Sequence, residues 1–193
     1  MKSICIIDGH PDKARRHLCH AIADAYAKGA RAAGAAASRF DLATLEIPYI
    51  RDPADFAKPP PKAIVDCQKA VKAADNLVVV YPLWLGSMPA LVKAFFEQLS
   101  RNEFAIAPSD KGGWPRRMLK GKSARVIVTM GMPSAAYRLF LGAHGVKSFE
   151  SAVLGMSGFR PVRETLIGGV GAWSETRVRA LLSRIEAMGA AGK

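Results

Sequence analysis

The chain has 193 residues, 50% of them hydrophobic, and a formal net charge of +12. That length and apolar content suit one globular domain over residues 1–193 with a sizeable core. Its longest apolar region, around Leu77 to Val92, is broken by Pro82 and Pro89 and falls short of a membrane span, while Cys5, Cys19 and Cys67 lack the paired spacing of a disulfide framework.

Ser3–Asp8, SICIID, is a short apolar run ending at Gly9-His10-Pro11, so a buried strand and then a loop are expected. The run is too short for a signal peptide, and with reduced thiols the expected location is cytoplasmic. An alanine-rich pattern from about Arg16 to Ala33 places Leu18, Ile22, Ala25 and Tyr26 along one face of a helix. Ser38–Leu42 follows as a second strand. A proline-rich loop then leads to a helix from about Lys62 to Ala74.

Asn76–Tyr81, NLVVVY, is the strongest strand, apolar on both faces as a central parallel strand should be. Pro82 ends it, and Pro89 suits the start of a helix running to about Ser100. Ala124–Thr129 is a further buried strand. His144–Gly155 reads as a short helix, Val162–Ile167 as a strand and Ser174–Met188 as a terminal helix. Strands and helices alternate throughout, which predicts an α/β fold with a parallel sheet covered on both faces. Ligands of such sheets bind beyond the carboxyl ends of the strands. The loops after Asp8, Tyr81 and Thr129 are therefore the candidate site.

The first loop, GHPDKARRHLCHA, holds His10, His17, Cys19 and His20, all zinc ligands by type. On a helix, residues 17 and 20 share a face while 19 points elsewhere, and no second ligand cluster lies downstream. No metal is expected. A helix N-terminus flanked by Lys13, Arg15, Arg16 and His17 suits an anion such as phosphate, although neither a Walker loop nor a GxGxxG fingerprint is present. A surface loop with chance histidines is the plainer alternative.

In the second loop Pro82, Leu83, Trp84 and Leu85 form an apolar wall, with Trp84 as a core residue the plainer reading. In the third, Thr129 and Gly131 fit close backbone approach to a ligand, and Tyr137 and His144 form a possible proton-handling pair. The densest basic stretch, Lys111–Arg125, has one tryptophan and no known module, so it reads as a solvated loop and no nucleic acid is expected as a partner.

Together these loops resemble the NAD(P)H:quinone oxidoreductases of flavodoxin-like fold, the DT-diaphorase group with its smaller bacterial members. The carriers are GHP in the first loop, PLWLGSMPALVKAFFEQ in the second, EFA at 103–105, and TMG, Tyr137 and GAHG after the fourth strand. The resemblance implies a three-layer sandwich with five strands in the order 2-1-3-4-5, a bound FMN (FAD as the alternative), and a homodimer with its active site at the interface. It places His10, Arg16, His17, Leu18 and Cys19 at the flavin phosphate, and Pro82, Leu83, Trp84, Leu85, Thr129 and Gly131 at the ring. Tyr137 and His144 match its catalytic pair, and Phe104 and Ile106 its substrate-facing residues. The implied activity is a two-electron, ping-pong hydride transfer from NAD(P)H through the flavin to a quinone or similar flat acceptor. The alternatives are a flavin-bearing regulatory subunit of a membrane transport system, which would bring a peripheral membrane association, and a one-electron carrier. The first loop departs from the usual Ser or Thr with Phe and Asn.

Overall fold

The computed structural model describes residues 2–109 and 112–192. In chain order the elements are β1 (Ser3–Asp8), α1 (Leu18–Ala32), β2 (Ala36–Asp41), α2 (Lys62–Ala73), β3 (Asn76–Pro82) and α3 (Ala90–Leu99). A two-residue hairpin, β4 (Ile106–Ala107) and β5 (Arg116–Arg117), comes next. Then follow β6 (Ser123–Met130), α4 (Ser134–Phe140), α5 (His144–Ser148), β7 (Val162–Gly168) and α6 (Glu175–Ala190).

Five strands form one parallel sheet in the order β2-β1-β3-β6-β7, the expected 2-1-3-4-5 pattern once the hairpin is set aside. Alternation along each strand divides the core. Cys5, Ile7, Leu77, Val79, Tyr81, Val126 and Val128 face α2, α3 and the segment around Phe149. Ile4, Ile6, Val78, Val80 and Ile127 face α1 and α6. Each fully buried Val, Leu or Ile contributes roughly 1.5–3 kcal/mol of transfer free energy. That burial on both faces explains why β1 and β3 read as apolar runs, and β6 does so from Val126 to Val128 beyond the buried Arg125.

The chain leaves β1 for β2 on one side and returns to β3 on the other, so the strand order reverses between β1 and β3. The register brings Asp8, Pro82, Thr129 and Gly168 to one edge of the sheet. The three candidate loops therefore leave from the same edge, next to the switch point.

Several boundaries differ from the sequence reading. α1 starts at Leu18 rather than Arg16 because His17 takes the extended N-cap conformation. β2 begins at Ala36 and stops at Asp41, the buried Leu42 opening a 3₁₀ turn. The expected helix from His144 to Gly155 is α5 followed by a π turn over Phe149–Gly155. α4 and the hairpin carry no sequence pattern long enough to show. The basic stretch is also not a solvated loop throughout. Arg116 and Arg117 lie in β5, and Arg125 is a buried residue of β6 whose Nη1 donates to Thr165 at 2.7 Å. Lys111 lies outside the described residues. Among the described residues no helix is long and apolar enough to cross a membrane.

Candidate functional site

The loop from β1 into α1 is knitted together by two aspartates. Gly9 donates its N–H to Val80 O at 2.7 Å, and a β-carbon there would sit 2.6 Å from Val92 Cγ2, so only glycine lets the loop lie this close to β3. Asp8 has no exposed surface. Its Oδ1 accepts His10 N–H at 3.2 Å, and its Oδ2 lies 2.6 Å from His20 Nδ1 and 2.9 Å from Arg39 Nη2. Arg39 also bonds Asp24 and Asp41, joining the site to α1 and β2.

Asp12 is the second hub. Its N–H donates to His10 Nδ1 at 3.1 Å, its carboxylate lies 2.9 Å from His17 Nε2, and its carbonyl faces His20 Nε2 at 3.1 Å. Because His10 Nδ1 accepts, its proton in the neutral ring sits on Nε2. Burial, and then the neighbouring His17 and His20, hold His10 below the ordinary histidine value. The His10 and His17 rings stack with centroids 3.8 Å apart. Of the stacked rings, His10 turns Nδ1 onto the Asp12 amide and His17 turns Nε2 onto the Asp12 carboxylate, and no metal-binding group of three or more ligands occurs among the described residues. The histidines are not a solvated surface set either: His10 is buried, and His17 and His20 are half-buried. α1 starts with no side-chain cap: His20 and Ala21 donate their N–H groups to His17 O, at 3.1 and 3.3 Å, and the amides of Leu18 and Cys19 are left facing the stacked histidines.

In the second loop Leu83 N–H reaches Thr129 O at 2.7 Å, which ties β3 to β6. Trp84 and Ser87 exchange backbone hydrogen bonds at 2.9 and 3.0 Å, with Leu85 at φ 48° and Gly86 at φ 79° between them. Two successive positive φ angles make this a two-residue hairpin turn of the primed type. Trp84 is half exposed, its ring 6.4 Å from His10, so it is a rim residue and not core.

The third loop is keyed onto that turn. Tyr137, fully buried, donates its hydroxyl to Gly86 O at 2.9 Å and accepts Val146 N–H at 3.4 Å. Gly145 is required, since a β-carbon there would lie 2.2 Å from Gly86 O. Burial raises the Tyr137 phenol above its ordinary value. Thr129 Oγ1 lies 3.3 Å from Cys19 Sγ, and burial pushes the Cys19 thiol up to about 12, so it stays protonated and unreactive.

The three loops enclose a cleft of about 230 Å³. From the first come His10, His17, Leu18 and Cys19; from the second Pro82, Leu83 and Trp84; from the third Thr129 and Gly131. A β-carbon on Gly131 would meet nothing, so a flat group can approach its backbone directly. Met130 and Val170 also line the cleft.

Four expected residues fall elsewhere. Arg16 extends into solvent toward Asp24 at 3.8 Å, because the late start of α1 puts it ahead of the N-cap. Leu85 projects fully into solvent from the turn. Phe104 packs against the core, and Ile106 lines a separate, larger hollow of about 550 Å³ with Phe56 and Phe96. Tyr137 and His144 share one segment, but no hydrogen bond joins them: the tyrosine hydroxyl faces the turn, and the exposed imidazole packs on Gly142. Sequence reasoning missed Asp8, Asp12 and Arg39, since a buried carboxylate ending an apolar strand has no pattern of its own.

The chain is 36% identical over 86 residues to FMN-dependent NADH:quinone oxidoreductase 1 of Hahella chejuensis (strain KCTC 2396), covering 40% of this chain and 41% of that protein. It is 31% identical over 142 residues to NAD(P)H dehydrogenase [quinone] 1 of Cavia porcellus, covering 63% of this chain and 49% of the relative. The chain thus spans less than half the length of these curated relatives. The fold matches that of an NAD(P)H:quinone oxidoreductase from Methanothermobacter marburgensis with a TM-score of 0.78 at 19% identity, over 100% of this chain and 99% of the other. Residues 2–188 match the family described by its flavodoxin-like fold, and with the strand order and the switch-point cleft this makes the chain a member of the flavodoxin-like fold family.

Proposed function

We propose that this chain is a flavin-dependent NAD(P)H oxidoreductase that delivers two electrons to a quinone or similar flat aromatic acceptor, with FMN as the flavin. One observation carries the reading: residues from three separate loops converge on a single cleft at the switch point, anion donors at one side and an apolar wall at the other. The names of the curated relatives, both quinone-reducing and one FMN-dependent, support it.

The residues present fit a flavin phosphate. His10 Nε2, which has no hydrogen-bond partner among the described residues, and the amides of Leu18 and Cys19 would form the donor set for a phosphate, with His17, held by Asp12 through Nε2, beside them. Pro82, Leu83 and Trp84 on one side, with Thr129 and Gly131 on the other, would hold the ring. When bound, the flavin supplies the hydride chemistry. The protein supplies position. Tyr137 acts through Gly86, holding the 84–87 turn against the cleft. His144, exposed on the adjoining segment, is the proton source for the reduced acceptor. With the flavin in a single cleft, NAD(P)H and acceptor would meet the same ring in turn, which is ping-pong order.

A homodimer belongs to the same reading. Trp84, Leu85, Met132, Leu139 and Phe140 are exposed apolar residues on the second and third loops. Phe104 and Ile106 lie outside the cleft of their own chain, so their contact with substrate requires a second copy.

The test is an anaerobic absorption spectrum after loading with FMN or FAD and desalting, before and after NAD(P)H. A retained flavin band that bleaches at once is the expected result. A band that stays oxidised points to the carrier or regulatory alternative, and loss of both flavins on desalting overturns the flavin assignment.

A further inference from the structure

His20 stands behind the cleft, not in its lining, and both of its ring nitrogens face acceptors. Nδ1 lies 2.6 Å from the buried Asp8 carboxylate, and Nε2 lies 3.1 Å from the Asp12 carbonyl. A neutral imidazole has one N–H, so only the doubly protonated ring satisfies both. The charged and titratable groups around it come from four elements: Asp8 from β1, Arg39 and Asp41 from β2, Asp24 from α1 through Arg39, and Asp12, His10 and His17 from the loop and N-cap. The His10 and His17 ring centroids lie 5.2 and 5.8 Å from that of His20. Burial opposes the charged ring, but the hydrogen bond and charge of Asp8 outweigh it and hold His20 above its ordinary value.

Asp12 passes this on. Besides meeting His20 through its carbonyl, it donates to His10 Nδ1 and pairs with His17 Nε2. Both cleft histidines therefore depend on where Asp12 sits. With Nδ1–H kept by the Asp8 carboxylate, loss of one proton from His20 removes the donor to the Asp12 carbonyl and leaves two lone pairs facing each other.

We propose that His20 is a proton-operated brace: in its imidazolium form it fixes Asp12, and through it His10 and His17, in the arrangement that holds a phosphate monoester, and deprotonation loosens that hold. The identity of the ligand rests on the flavin reading above; the brace does not. His20 is a positioning residue.

The experiment titrates binding of FMN and of riboflavin to the apoprotein by flavin fluorescence, from about pH 6.5 to about pH 9.5, where the FMN phosphate is already largely dianionic. FMN binding is expected to weaken about tenfold on the alkaline limb, the scale of one charged hydrogen bond. Riboflavin, which has no phosphate, should show no such limb. In His20→Gln, which does not titrate, FMN affinity should be flat and near the wild-type alkaline value. A flat wild-type profile, or an equal alkaline fall in the variant, overturns the brace. Independently of any variant, ring ¹⁵N spectra of the wild type, with four histidines in the chain, should show one ring protonated on both nitrogens at neutral pH; finding none overturns it too. If neither flavin binds at any pH, the flavin reading fails. The brace is then judged by the same spectra with inorganic phosphate as the probe: an alkaline loss of phosphate-induced shifts at His10 and His17 supports it, and shifts independent of pH overturn it.

Discussion

Leu85 combines a positive φ of 48° with a fully exposed side chain. Left-handed backbone costs a non-glycine residue about 1–2 kcal/mol, and asparagine tolerates it best at this turn position. Leu85→Asn should therefore stabilise the protein by about 1 kcal/mol, read as a higher urea midpoint. In the homodimer proposed above the same change should weaken dimerisation, read by sedimentation, because an exposed apolar side chain is lost from that face. Strain kept at a site edge is the usual mark of such a residue. Tyr137 and His144 separate in the same way. Tyr137→Phe leaves Gly86 O and Val146 N–H short of a partner, so it should cost about 1–2 kcal/mol of stability and weaken flavin retention. His144→Gln should leave stability and flavin binding alone and lower kcat about a hundredfold.

The contact of α1 with α6 is made backbone to backbone. A β-carbon on Gly29 would lie 1.9 Å from Glu186 O, and one on Gly189 would lie 2.2 Å from Tyr26 O. Helix propensity alone makes Gly29→Ala favourable by about 1 kcal/mol. The clash is with rigid backbone, and overpacking of that kind costs about 1–3 kcal/mol or more. Packing wins, so Gly29→Ala should lower the urea midpoint, and a rise would show that the helices move apart freely. The periodicity of α1 could be read directly, whereas the reason for its two facing glycines is visible only once α6 is laid across it. β1 and β3 were equally legible, being apolar on both faces, as was the Val126–Val128 stretch of β6. α4 is a short helix, and the hairpin strands are too brief for any period to register.

The net charge of +12 acts over the whole surface. It should attract a polyanionic nicotinamide cofactor, so kcat/KM for NAD(P)H should fall several-fold between about 50 and 500 mM salt while that for a neutral quinone changes little. Stability as a function of pH follows from two histidines displaced in opposite directions from 6.5. His20 is raised by Asp8 against its own burial, so its contribution is complete below 6.5 and is lost as pH rises through its folded value. His10 is lowered by burial and by its neighbours, so its contribution is present above 6.5 and is lost as pH falls through its folded value. The urea midpoint should be highest in a window straddling 6.5, and His20→Gln should remove the alkaline fall while keeping the acid one.

The strand order and the set His10, His17, Leu18, Cys19, Pro82, Leu83, Trp84, Thr129 and Gly131 were implied by the family resemblance, while the parallel α/β class and the three candidate loops at the cleft edge follow from the amino-acid sequence by itself. Their signals are local: apolar runs, prolines and glycines at strand ends, and loops that must leave one edge of a parallel sheet. What only the tertiary structure decided is which polar groups meet across the chain. Asp8 finds Arg39 on the neighbouring strand and His20 a turn into α1, Tyr137 finds Gly86, and Phe104 and Ile106 turn away from the cleft. Hydrogen bonds between residues distant in sequence leave no periodic trace, and their partners are fixed by the register of strands and the crossing of helices.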